Sequence, residues 1–166
     1  MTAAAQNSVQ PALAPALLEK APGILAALAL AFGLAIALGG LQSGPWMDEF
    51  NTLVTTLRGH SPGVFLEHIV RGQHPLLYEG LVYLAQAAGV TDIAGLRLIN
   101  LLGLPLVLGA VWISWRRGAL TGAQAAVVIA LYGSSGNLIS YLASIRPYFL
   151  MFSASIAAVL MWRLTF

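Results

Sequence analysis

The sequence predicts an all-α fold: a polytopic transmembrane helical bundle with a non-cytoplasmic loop of short interfacial helices. Three observations predict it. Hydrophobic residues make up 58% of the 166-residue chain and charged residues only 8%, against about 25% charged in an ordinary soluble domain. Apolar stretches of bilayer length recur along the chain. Most ionisable groups gather between residues 42 and 94 rather than spreading evenly.

Residues 1–20 hold mainly Ala, Gln, Pro and Ser with almost no charge, and read as a flexible cytoplasmic tail. Residues 21–166 form the membrane domain. The tail lacks the basic n-region of a secretory signal, and the apolar run after it is too long for an h-region. The first span, about 22–41, therefore reads as an uncleaved anchor. About 20 residues at 1.5 Å rise cover about 30 Å, the hydrocarbon thickness. Glu19 and Lys20 mark its start; Gly39, Gly40 and then Ser43-Gly44-Pro45 break it.

The loop 42–94 carries Asp48, Glu49, Arg58, His60, Glu67, His68, Arg71, His74, Glu79 and Asp92. Within it, 48–58 has apolar residues at helical spacing, with Asp48 or Glu49 at the favoured N-terminal end and Gly59 as a stop. Ser61 and Pro62 then open a second helix as N-cap and first helical residue, with Phe65 and Ile69 on its apolar face. The stretch 76–90 is apolar but short and carries Glu79 and Gln86, which suits an interfacial helix better than a span. Three further spans follow at about 95–115, 121–141 and 147–163.

Arginine placement favours this four-span reading. If 76–90 does not cross, Lys20, Arg116, Arg117 and Arg163 share one side, and Asp48, His74 and Arg146 share the other. The turn carrying Arg116 and Arg117 is then cytoplasmic, as the positive-inside rule prefers. If 76–90 does cross, those two arginines are exported. This reading gives an integral, multi-pass membrane protein whose polar face is non-cytoplasmic.

The net charge of +2, with scattered basic residues, gives no footprint for nucleic acid. The absence of cysteine excludes disulfides, thiolate metal sites and a cysteine nucleophile. No His, Asp or Glu cluster has metal-ligand spacing, no glycine-rich phosphate loop appears, and there is no Ser-His-Asp arrangement. Gly133-Ser134-Ser135-Gly136 lies in an apolar segment and reads as helix packing or a local break. His60 and His68 read as solvated loop residues.

Three polar elements could carry chemistry. Asp48 and Glu49 either cap a helix at the membrane boundary or supply a general base or metal ligand, since a partly dehydrated carboxylate gains proton affinity. His74, held extended by Pro75, is either a loop-to-helix transition or a donor to a phosphate or sugar. Arg146, before the helix-opening Pro147, either anchors a span or forks onto a phosphate. Tyr148 either bonds a headgroup or joins an aromatic belt. Glu79 and Arg97 either line a cavity or lie at the water edge.

Four segments taken in order carry a resemblance: Trp46-Met47-Asp48-Glu49, His74-Pro75-Leu76-Leu77-Tyr78, Leu96-Arg97-Leu98-Ile99-Asn100 and Ile145-Arg146-Pro147-Tyr148. Over roughly residues 22–166 the chain resembles the GT-C glycosyltransferases, in particular the bacterial dolichyl-phosphate-mannose-protein mannosyltransferase-like group. That group shows an Asp-Glu pair after its first span, then His-Pro-Pro-Leu-Tyr, Arg-Leu-Pro-Ser and Arg-Pro-Tyr segments. Here Leu76 replaces the second proline, and Ile99-Asn100 replaces Pro-Ser. The resemblance implies transfer of a sugar from a polyprenyl-phosphate donor to an acceptor glycan, lipid or protein hydroxyl on the periplasmic or extracellular face of a bacterial inner membrane, and we read the transfer as inverting. It implies Asp48 as catalytic carboxylate with Glu49 beside it, and His74, Tyr78, Arg97, Arg146 and Tyr148 as donor phosphate or substrate ligands. It leaves open whether a divalent cation assists, because the broader superfamily includes members with and without one. Family members usually have many more spans, so the chain reads as the N-terminal part of such an enzyme, inactive alone. Two rivals stand beside this reading: a small membrane scaffold or accessory subunit, and a transporter fragment with Glu79 and Arg146 as pathway charges.

Overall fold

A computed structural model describes residues 13–44, 49, 52–53, 61–72 and 75–164. Among these the chain is helical, with no strand. Helix α1 runs Leu13–Gly39 and ends in a 3-10 turn, Gly40–Gln42. Helix α2 runs Pro62–Gly72 and α3 Leu76–Ala87. Helix α4, Ile93–Arg97, passes through a 3-10 segment, Leu98–Leu102, into α5, Gly103–Arg116. Helices α6, Gly122–Gly133, α7, Gly136–Tyr141, and α8, Tyr148–Trp162, complete the order.

Two of these units are long and apolar enough to cross a membrane: Lys20–Gln42 and Ile93–Arg116. They match the first two predicted spans. Helix α1, however, begins at Leu13, inside the stretch read as a flexible tail, and carries Pro22 in its interior. Pro15 falls in its first turn, where the missing N–H has no intrahelical acceptor to lose. The apolar run of Leu13, Ala14, Ala16, Leu17 and Leu18 continues the helix outward.

The third predicted span, 121–141, is not one continuous helix. Ser134 and Ser135 interrupt it: Ser134 Oγ donates back to Ala130 O at 2.8 Å, and Ser135 Oγ accepts from Leu138 N at 3.1 Å, capping a new helix. Hydroxyl bonds of this kind compete with the helix ladder. Helix α6 alone covers about 18 Å and α8 about 22 Å, both short of the hydrocarbon thickness. The fourth span, predicted at 147–163, is thus a short apolar helix.

Local chemistry sets the remaining boundaries. Ser61 Oγ accepts from Val64 N at 3.3 Å, so Ser61 caps α2 as predicted. Phe65 and Ile69 are buried, and Phe65 stacks on Tyr83 with ring centroids 4.5 Å apart, fastening α2 to α3. Asp92 caps α4 by accepting from Gly95 N at 2.7 Å. A full capping box at Thr121 and Gln124 starts α6. Gly89 and Gly118, just past the ends of α3 and α5, sit at φ of 101° and 75°, which other residues adopt only with strain. The predicted helix 48–58 lies outside the described residues except at Glu49, Thr52 and Leu53.

Helix α1 lies along α6 and α7, α5 lies along α8, and α6 also touches α5. The α1–α6 approach is backbone-close. A Cβ on Gly133 would come 2.5 Å from Leu30 Cα, and one on Gly33 would overlap Gly133 O. The Gly133 segment is therefore both a packing site and a break. Val107, Tyr132, Leu138, Leu142 and Phe149 form the centre of the main core. A second cluster, Tyr78, Val82, Leu96, Ile145 and Leu150, fixes α3 against α4 and the start of α8. At 12 residues, α3 spans about 18 Å and stays at this end of the bundle. The outward side chains of α1 include Leu25, Leu28 and Phe32, each at least 60% exposed and spaced along one helix face.

Candidate functional site: a buried polar junction

A charged residue just past the middle of an apolar sequence must find partners, and Arg97 finds acceptors on five residues. Its position at the end of α4 directs it into the turn that closes α1. The side chain is completely buried. Nη1 donates to Leu41 O at 2.8 Å and Ser43 O at 2.7 Å, with longer contacts to Gly40 O and Ser43 Oγ. Nη2 donates to Gly44 O at 3.1 Å. Carbonyls at the C-terminal end of a helix are orphaned and carry partial negative charge, so a guanidinium from another element both satisfies and neutralises them.

The same guanidinium grips Glu49 in a two-pronged pair. Nε donates to Oε1 at 3.1 Å and Nη2 to Oε2 at 2.8 Å, with both side chains fully buried. Glu49 Oε1 also accepts from the backbone N of Ile145 at 2.6 Å. One carboxylate thus joins the segment after α1, the end of α4 and the residue preceding Arg146. Isolated, either charge would be prohibitively expensive to bury; the bidentate geometry and the extra acceptors and donor offset that cost.

Around this pair lies a ring of further polar groups. Thr52 Oγ1 donates to Glu79 Oε1 at 3.1 Å, both residues buried. Asn100 Nδ2 donates to Tyr141 O at 3.1 Å and to Ser144 O, holding the end of α7 to the 3-10 segment. The Tyr78 hydroxyl is buried beside Asn100 and the Arg146 backbone. Neither it nor Asn100 Oδ1 has a partner of standard hydrogen-bond geometry among the described residues. Burial, then the neighbouring Glu79 and Glu49 carboxylates, push the Tyr78 phenol well above its ordinary range, so it stays protonated and can donate.

Arg146 is half-buried, with its guanidinium 5.6 Å from the centroid of the Tyr148 ring. Tyr148 is exposed and meets Tyr141 edge-on, at 5.2 Å between centroids. This cation–aromatic pair lies on the outer side of the junction that Glu49 builds.

Of the residues singled out from sequence, Glu49, Tyr78 and Arg97 come together with the backbone just before Arg146. Tyr148 joins Arg146 rather than the buried group. Asp48 and His74 lie outside the described residues. Arg97 does not lie at the water edge: it is fully buried, all its N–H groups point at protein acceptors, and both oxygens of the equally buried Glu49 accept hydrogen bonds. Asn100 was not singled out as a functional residue, although it lies three residues after Arg97 on the same helical face, where a polar group in an apolar segment signals a structural or functional contact. Among the described residues no three His, Asp or Glu side chains come together as a metal site. Comparison of the chain with protein-family models, with curated proteins and with solved structures finds no match.

Proposed function

We propose that the chain is a multi-pass membrane protein forming the N-terminal part of a GT-C-type glycosyltransferase, with its site at the end of the bundle where Glu49, Arg97 and Ile145 meet. The observation that carries this reading is the Glu49 carboxylate, which bonds Arg97 and Ile145 at once. Three segments that resemble family motifs, 48 and 96 positions apart, therefore converge on one point. The apolar outer surface of α1 supports the membrane setting, because soluble monomers rarely expose such continuous patches. Lys20 and Gly122 lie at the opposite end from this junction, which supports a cytoplasmic Arg116–Arg117 turn.

In this mechanism Asp48 takes the proton from an acceptor hydroxyl. The acceptor oxygen bonds to the anomeric carbon from the face opposite the leaving group. The bond from that carbon to the phosphate oxygen breaks, and its electron pair leaves on the polyprenyl phosphate, so configuration inverts. Arg146, with His74, opposes the charge gathering on the phosphate. Tyr78, kept protonated, is a neutral donor. Glu49 and Arg97 are positioning residues: they hold the Asp48 segment against the Arg146 segment instead of touching substrate.

The test is binding of a polyprenyl-phosphate hexose to the detergent-solubilised chain, with Arg146→Ala beside wild type. Binding that weakens on Arg146→Ala supports the reading. Absence of binding by wild type transfers support to a scaffold, a reading favoured by the internal saturation of the Glu49–Arg97 pair.

A further inference from the structure

Helices α1 and α6 meet through backbone at Leu30 and Gly133. Between that contact and the end of the bundle away from the polar junction, α1, α5 and α6 border a groove of about 380 Å³, lined by Ala26, Ala27, Leu30, Leu108, Trp115 and Ile129. It opens past Ala27 and Gly122 into a second volume of about 650 Å³ bordered by Lys20 and Pro22. Ligand-sized sites have volumes of this order. From Lys20 to Leu30 the groove runs about 15 Å along α1, which is half the thickness of a hydrocarbon core and so the depth of one leaflet.

The groove is apolar along its length and cationic at its mouth. Lys20 borders it, and the Arg116–Arg117 turn joins its two walls, Trp115 and Gly122. All three basic residues are exposed, and no carboxylate among the described residues pairs with them. By sequence the only acid in these segments is Glu19. The indole Nε1 edge of Trp115 faces Gly122, placing an N–H donor on the groove wall. Basic pockets between membrane helices on the cytoplasmic side suit anionic lipid headgroups.

We propose that this groove binds one anionic glycerophospholipid of the cytoplasmic leaflet, an acyl chain lying between α1 and α6 and the headgroup phosphate against Lys20 and the Arg116–Arg117 turn. The site rests on the membrane topology proposed above, and not on sugar transfer.

Native mass spectrometry of the full chain, released from detergent with equal amounts of phosphatidylglycerol and phosphatidylcholine of identical acyl chains, tests it. The expected result is a retained phosphatidylglycerol adduct in preference to phosphatidylcholine. Lys20→Gln is expected to cut that preference about fivefold, the effect of one surface charge on anionic lipid. Ala27→Trp, which fills the groove from an exposed position, is expected to remove the adduct, as is Ala123→Trp from the facing wall. Equal retention of the two lipids, or a phosphatidylglycerol adduct unchanged in both tryptophan variants, overturns the site. Alkaline extraction of membranes containing the same variants reports insertion separately: a chain that washes off sinks the topology, whereas an inserted chain without lipid preference sinks only the groove.

Discussion

The Arg97 guanidinium and the Glu49 carboxylate face each other prong to prong at 2.8 and 3.1 Å, with neither side chain exposed, across 48 residues of sequence. Because Arg97 also holds the carbonyls at the end of α1, and Glu49 also holds the backbone of Ile145, the pair ties four segments together. Removing either partner leaves the other buried and uncompensated, at a cost of about 3–5 kcal/mol. Arg97→Ala and Glu49→Ala should therefore each lower the melting temperature in detergent sharply. The double variant Arg97→Met with Glu49→Leu should cost clearly less than the two single losses added, since coupled partners are not additive. Additive losses would show that the two residues act independently.

Arg97→Lys separates charge from shape. Lysine keeps the positive charge but cannot present a planar fork to Glu49 while reaching Leu41 O, Ser43 O and Gly44 O. It is expected to recover less than half of the stability lost in Arg97→Ala. Full recovery would mean that charge alone matters at this position.

Much of this architecture can be read directly from residues. Ser61-Pro62 opens α2 because a hydroxyl acceptor followed by a residue without N–H satisfies a helix start from within four residues. The first two long apolar units are legible because length and apolar composition together decide whether a helix is able to cross. The interruption at Ser134–Ser135 is harder, since its apolar surroundings outweigh two hydroxyls in any window average, and only the local bonds to Ala130 O and Leu138 N reveal which tendency wins. The start of α1 at Leu13 is hidden by Pro15, which a first turn tolerates. The Glu49–Arg97 pair is not encoded by any periodicity: both residues were visible as unusual, but their partnership depends on where the chain returns after 48 residues. Asn100 is hidden for the same reason: its acceptors are backbone carbonyls at Tyr141 and Ser144.

The raised proton affinity of Tyr78 has a consequence at high pH. Its phenol holds a proton more tightly folded than unfolded, where it titrates near 10.0. The unfolded state then releases protons first, so this contribution to stability is intact below about pH 10 and declines as pH rises above it. Tyr78→Phe cannot titrate, and its stability should fall less steeply than wild type between about pH 10 and 11. Equal slopes for the two proteins would place the Tyr78 hydroxyl in contact with solvent.

Topology offers a direct measurement because the chain has no cysteine. Thr52 belongs to the polar junction and Gly118 to the turn at the other end of the bundle. Since Thr52 is buried, exposed Ser61 serves as the reporter on the same side. A cysteine placed at Ser61 should therefore react with an impermeant maleimide from outside the cell, and a cysteine at Gly118 should react only after the membrane is opened. Labelling of both ends from outside would require α3 or another segment to cross, and would remove the cytoplasmic assignment of Arg116 and Arg117.

The α1–α6 crossing depends on the absence of side chains at two positions. A Cβ at Gly133 meets Leu30 Cα and N rather than a movable side-chain tip, so the helices must separate to admit it. Gly133→Ala should cost about 1–3 kcal/mol, the usual cost of forced overpacking. Gly23 lies on the same helix as Leu30, but a Cβ there meets nothing within 4 Å, so Gly23→Ala should be neutral or slightly stabilising. Thermal melting of the two variants side by side decides the matter: equal, small effects would mean that α1 and α6 are free to slide, and a selective loss in Gly133→Ala would mean that their spacing is fixed by glycine. The groove between this crossing and Lys20 shares Leu30 with it, so the same measurement bears on whether the groove has a fixed shape.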